Sequence, residues 1–336
     1  MMNKKGSILL IVLWIMAALV IFAVGLGHRA SVNLQLVKYQ RNRLRANYLA
    51  RAAVNRALFE LDDDTNSYDS LDETWSTGTS GSKKILEDIV IKDEYPGKFS
   101  VKYLYDVDKD EYRCMQDEES KININQVDDF GKKQIIGLLT ELGGLNPTDA
   151  AELKDTIVEW INPAQEPDPA KKVFKNAALK APEELLFILE YFYEAKEGKE
   201  RAREAAQKIF KSIRDSITVC GDGKININTA TRPILRNTAS VMSTETGVVE
   251  NLLNRIIEFR SSSSGPFKAQ TEVDTFCSTT LTDLKEQTLC SQIKDHLTVS
   301  STCFRIPAHA EVGNIPKNIT ALYDKKNKEM LYWHED

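Results

Sequence analysis

Residues 7–27 form a run of twenty-one positions without a charged side chain, about the length a helix needs to cross a ~30 Å hydrocarbon core. The apolar pattern then changes character without stopping. Leu44, Leu49, Ala53, Val54, Ala57, Leu58 and Leu61 recur at helical spacing among arginines, which predicts an amphipathic helix continuing the first. One helix over 7–61 accounts for both. Residues 62–82 are rich in Asp, Ser, Thr and Gly and read as a loop. Residues 83–91 read as a short helix. Alternation over 99–105 predicts a strand, with 111–116 as its partner across an acidic turn.

A near-repeat follows. Lys121-Ile122-Asn123-Ile124-Asn125 recurs as Lys224-Ile225-Asn226-Ile227-Asn228, each copy leading into helical patterns. After the first copy Ile135, Ile136, Leu138, Leu139 and Leu142 share a face. Asn146-Pro147 then caps a helix running to Ile161. Residues 181–193 and 199–214 predict two further helices, and 248–260 a strongly amphipathic one. The tail returns to period two, with strands expected over 297–301, 303–312, 319–323 and 330–333 and a hairpin turn at 324–327. The strands near residue 100 and those after 297 are expected to share one antiparallel sheet. The fold class is thus α+β, with the all-helical segment 125–294 inserted into a sheet unit made of 62–124 and 295–336.

Composition adds constraints. The net charge of −5 over 336 residues argues against a general nucleic-acid binder. None of the five cysteines forms a C-x-x-C pair. Cys277 and Cys290 are close enough in sequence to bridge, and the pairing of Cys114, Cys220 and Cys303 is open. Asp106, Asp108 and Asp110 have the 1-3-5 spacing of a calcium loop, but Glu111 stands where such a loop turns on glycine. An acidic hairpin turn is the simpler reading, and these aspartates remain the calcium candidates. The chain holds no G-x-S-x-G, H-E-x-x-H or P-loop signature, so no enzymatic activity is expected.

The residues Lys4-Lys5-Gly6, met at once by an apolar helix, resemble the leader of type IV pilins and type II secretion pseudopilins. The resemblance implies cleavage between Gly6 and Ser7 by a prepilin peptidase, with the apolar helix kept as an inner-membrane anchor. Most such subunits carry Glu at the fifth mature position, where this chain has Ile11. Further matching stretches are 119–125, 157–160, 175–177 with 183–185, 224–230 and 304–310. Together they resemble the minor pseudopilin K family (general secretion pathway protein K), which characteristically lacks that acid. The resemblance implies a pilin-like sheet, a periplasmic C-terminal part, the minor pseudopilins I and J and the inner-membrane assembly platform as partners, and a place at the pseudopilus tip. It also implies calcium as a conceivable ligand, although 162–172 is poorer in acids than is usual in the family. Charge counting opposes the topology, because Arg29, Lys38, Arg41, Arg43 and Arg45 follow the span. The rival reading is a bitopic envelope protein whose helix-hairpin-helix repeats bind DNA for uptake. Glu141, Asp149 and Glu245 beside the expected hairpins would repel phosphate.

Overall fold

A computed structural model of the chain describes residues 4–106, 110–162 and 174–336. Helix α1 spans Lys4–Asp63 without interruption. At 1.5 Å per residue its length is about 90 Å. Its first half stands clear of the rest, and its second half lies on one face of a sheet. The contact there is an alanine stripe: Ala46, Ala50, Ala53 and Ala57 have no exposed surface. Leu44, expected in that stripe, is instead exposed. Small side chains let the helix backbone approach the sheet, which a row of leucines would prevent.

The strands are β1 (Ile89–Ile91), β2 (Gly97–Val101), β3 (Gln116–Asp117), β4 (Cys303–Val312), β5 (Ile315–Asp324) and β6 (Glu329–Glu335). Their order is β6-β5-β4-β2-β1, with β3 also pairing to β4, and all the pairs are antiparallel. On β4 the residues Phe304, Ile306, Ala308 and Ala310 are buried in one cluster with α1. Gly313 and Asn314, both at positive φ, make the two-residue β4–β5 turn, as right-handed strand twist favours.

Three expectations are corrected here. Residues 83–91 hold no helix. Lys83–Lys84 pairs with Thr79–Ser80, and Ile89–Ile91 pairs with β2, so sheet pairing overrides local propensity. The strand expected over 99–105 is two strands, broken at Lys102. The ladder between β2 and β4 ends at Val101↔Ala308, because the next residue of β4 is Pro307, which has no N–H to give. Tyr103–Asp106 then turns away to pair with Glu111–Arg113 as a separate ribbon. Finally, Leu297–Thr298 does not join the sheet; it pairs in parallel with Ile225–Asn226.

Between β3 and β4 lies a helical lobe: α2 (Asp129–Glu141), α3 (Pro147–Ile161), α4 (Leu185–Glu197), α5 (Lys199–Ile213), α6 (Arg232–Ser240), α7 (Thr246–Arg260) and α8 (Leu284–Ile293). It has its own apolar core, including Ile122, Leu138, Leu153, Leu189, Ile225, Leu253 and Leu297. Asn146 caps α3 by accepting from the Asp149 N–H at 2.9 Å, with Pro147 in the first turn. Because β3 and β4 are hydrogen-bonded neighbours, the lobe leaves and re-enters the sheet at one place.

Candidate functional site: the bare helix and the lobe junction

Among the described residues nothing packs against the apolar part of α1. Its most apolar 18-residue window has a mean hydropathy of 3.0 and no buried share. Trp14 is 74 % exposed and Phe22 71 %. Such a helix is long and apolar enough to cross a membrane. Gly6 and Ser7 lie within its helical backbone, and Ile11 is exposed on it. Exposure continues past the apolar run, and the first buried residues are Asn42 and Ala46.

The two Ile-Asn-x-Asn copies do the same work twice. Ile122–Asn123 pairs in parallel with Ile217–Thr218, and Ile225–Asn226 with Leu297–Thr298. Each copy is thereby closed against the segment that follows its last helix. In each, the first asparagine accepts from the backbone N–H two residues on, at 2.9 Å in the first copy and 3.0 Å in the second. The second asparagine grips a distant loop from both sides. Asn125 accepts from Leu179 N and donates to Leu179 O, and Asn228 treats Phe267 N and O the same way. These repeats are built for holding loops, and at the second hairpin Glu245 is paired with Lys285 at 2.6 Å.

Where the lobe meets the sheet, three consecutive carboxylates turn inward. Glu118 has no exposed surface. Its Oε1 lies 2.7 Å from both Lys121 Nζ and Arg305 Nε, and Thr218 Oγ1 donates to its Oε2 at 2.6 Å. Burial alone would raise its pKa, but the two cations and their hydrogen bonds hold it down at about 2. Asp117 Oδ2 accepts from Asn226 Nδ2 (3.1 Å), Thr229 Oγ1 (2.5 Å) and Ser301 Oγ (2.8 Å). Glu119 Oε2 accepts from Thr302 N at 2.7 Å and Cys303 N at 3.2 Å, and its Oε1 from Thr302 Oγ1 at 2.7 Å. Burial pushes both of these carboxyls above the usual range. Asp69 joins from the loop after α1, accepting from Ser301 N at 2.7 Å and facing Lys325 Nζ at 3.2 Å. Its pKa is pushed up to about 7, chiefly by burial.

Cys220 and Cys303 form a disulfide across the same junction, with Cα atoms 6.3 Å apart. Sequence spacing gave no hint of this pair, which is 83 residues apart. Cys277 and Cys290 form the second disulfide, at a Cα separation of 5.2 Å. Cys114 is a buried thiol, pushed up to about 12 mainly by burial.

Of the calcium candidates, Asp108 and the side chain of Asp106 lie outside the described residues, and Asp110 is exposed at positive φ. A different carboxylate group, Asp64, Asp69 and Glu73, is gathered within 4.8 Å. The Lys325 ammonium is already seated there, 2.8 Å from Asp64 and 3.2 Å from Asp69, so the group has its cation and does not fit a metal's need for free oxygens.

No family model matches the chain, and no curated protein matches it. Among solved structures it resembles a chain in the crystal structure of the GspK-GspI-GspJ complex from the type 2 secretion system of enterotoxigenic Escherichia coli. The alignment covers 90 % of this chain and 99 % of that one, with a TM-score of 0.56 and 14 % identity. The chain has a pseudopilin-like fold.

Proposed function

We propose that this protein is a minor pseudopilin of a type II secretion system, of the K kind, and acts as a structural subunit without enzymatic activity. One observation carries the reading: the fold aligns over 90 % of this chain with 99 % of a chain from a GspK-GspI-GspJ assembly, and this chain also carries a bare apolar helix near its N-terminal end. On this reading a prepilin peptidase cuts between Gly6 and Ser7, the apolar helix anchors the chain in the inner membrane, and the sheet and lobe lie in the periplasm. The partners are the I and J minor pseudopilins and the assembly platform. The lobe's bulk and the apolar Ile11 support a position at the pseudopilus tip. A subunit with nothing above it has no neighbouring α-amino group to neutralise, so it needs no acid at that position.

Co-expression tests this directly. Tagged full-length protein extracted in mild detergent is expected to bring down both other minor pseudopilins in stoichiometric amounts. Recovery of neither, under conditions that keep those two together, would refute the assignment.

A further inference from the structure

We propose that Asp117 and Glu119 form a proton-linked latch between sheet and helical lobe, which tightens as the surroundings become more acidic. Both side chains are almost fully buried, at 2 % and 4 % exposure. The cations nearby are committed elsewhere: Lys121 and Arg305 to Glu118, and Lys325 to Asp64 and Asp69. Among the described residues no ion pair reaches Asp117 or Glu119. Two like charges this close and this dry cannot both persist cheaply, so the pair is expected to hold a proton at neutral pH.

The hydrogen-bond geometry accommodates that proton. Glu119 Oε2 accepts two backbone N–H groups, which are fixed donors. Its Oε1 meets only the Thr302 hydroxyl, and a hydroxyl can turn to accept. Asp117 Oδ1 takes the fixed Glu119 N–H, while Oδ2 faces the Thr229 and Ser301 hydroxyls beside the Asn226 amide. Asp69 differs, having a backbone N–H on one oxygen and an ammonium on the other. The latch joins every segment that crosses between lobes: residues 117–119 leaving the sheet, Asn226 and Thr229 in the second repeat, and Ser301–Cys303 returning to it.

Glu118, Tyr103 on the ribbon and Asp69 from the loop act on Asp117 directly; around them stand Lys121 and Arg305 on Glu118, Asp215 beside Lys121, and Lys325, Asp64 and Glu73 around Asp69. All of these remain when the pair alone is altered. In an unfolded chain both carboxyls are ionised above the ordinary range. The folded chain keeps a proton to higher pH, so it binds more protons in that window and gains stability as pH falls through it.

The experiment is a urea titration of the full chain in detergent micelles, followed by tryptophan fluorescence at about pH 8 and about pH 5.5. For wild type the folded-to-unfolded ratio is expected to rise on acidification, by up to about tenfold per pH unit for one extra proton held. In Glu119→Gln the amide can keep the backbone acceptor and donate to Thr302. Its stability at the higher pH is expected to match or exceed wild type, with a shallower rise to which Asp69 still contributes. A wild-type ratio that falls on acidification, or a variant that retains the full slope, would overturn the proposal. Should Glu119→Gln misfold, Asp117→Asn must show the same loss of slope, and infrared spectra of wild type at neutral pH must contain the C=O stretch of a protonated carboxyl. Absence of that band would equally overturn it.

Discussion

Glu118 shows how little room the junction leaves for error. Its two cations come from three residues downstream and from β4, so one buried acid ties the sheet to the segment that opens the lobe. Lys121→Met removes one of the two cations and leaves Arg305 as the other, and is expected to cost less than the about 3–5 kcal/mol of an uncompensated buried charge, read from a denaturation midpoint. The sign of its pH dependence is opposite to that of the latch. A carboxyl held at about 2 stabilises the fold fully above its ordinary value of 4.5 and loses that contribution as pH falls through the lower value. Stability is therefore expected to climb from neutral to mildly acidic pH and to collapse only at strongly acidic pH. Gly221 is equally constrained: at φ +87° an added Cβ would lie 2.8 Å from Glu119 Cγ. Gly221→Ala is expected to weaken the junction while leaving the cores of both lobes folded, as read by faster hydrogen exchange at Thr302 and Cys303 than in α4. None of this was legible in sequence, where Asp117-Glu118-Glu119 looks like any solvated acidic run. Its burial depends on residues 100 and more positions away.

At the scale of elements, sequence pattern served well where a helix buries a face against its own neighbours. The apolar faces of α2 and α7 and the Asn146 cap of α3 follow from local spacing. It served less well where a distant strand decides. Residues 83–91 carry a pattern that suits a helix, and only the presence of β2 makes part of it a strand. The α1 stripe was read correctly at Ala53, Val54, Ala57 and Leu61 and missed at Leu44, because hydropathy weights leucine over alanine, whereas close approach to a sheet selects the smaller side chain. Ala53→Leu inserts that bulk where no surface is exposed, and is expected to cost about 1–3 kcal/mol, measured as a lowered urea midpoint. The Cys277–Cys290 bridge fastens the irregular turn after residue 275 to α8. Replacing both cysteines by alanine is expected to lower stability by about 2–4 kcal/mol, with protection lost first around residues 276–290 and not at the junction. Reduction of Cys220–Cys303 in the same protein would instead loosen the junction.

For the whole molecule the predictions concern placement. Intact mass from a host with a prepilin peptidase is expected to show loss of residues 1–6, and Gly6→Val to prevent it, because a β-branched side chain crowds a site shaped for glycine. Ile11→Glu is expected to leave the subunit at one end of sheared filaments in gold labelling. Regular labelling along the shaft would contradict a tip position. The architecture class and the duplicated helical insertion were legible from the chain alone, because both rest on long, periodic segments. The way the lobe is fastened was not, because it rests on single side chains meeting across it. One dimension of the molecule has a consequence of its own. Between Gly27 and Arg41, which stacks on Tyr95, lie thirteen exposed helical residues, about 20 Å of unsheathed rod. If the apolar run fills the bilayer, this rod holds the globular head aloft like a buoy on a stiff mooring, with an unobstructed gap beneath. Neighbouring subunits diffusing in the membrane could slide their own helices into that gap before any head-to-head contact forms, so the order of assembly would run from the membrane outward. Shortening the rod by two turns would lower the head onto the lipid surface. The expected readout is quenching of a fluorophore at Glu94 by a lipid-headgroup acceptor, weak in the native chain and strong in the shortened one.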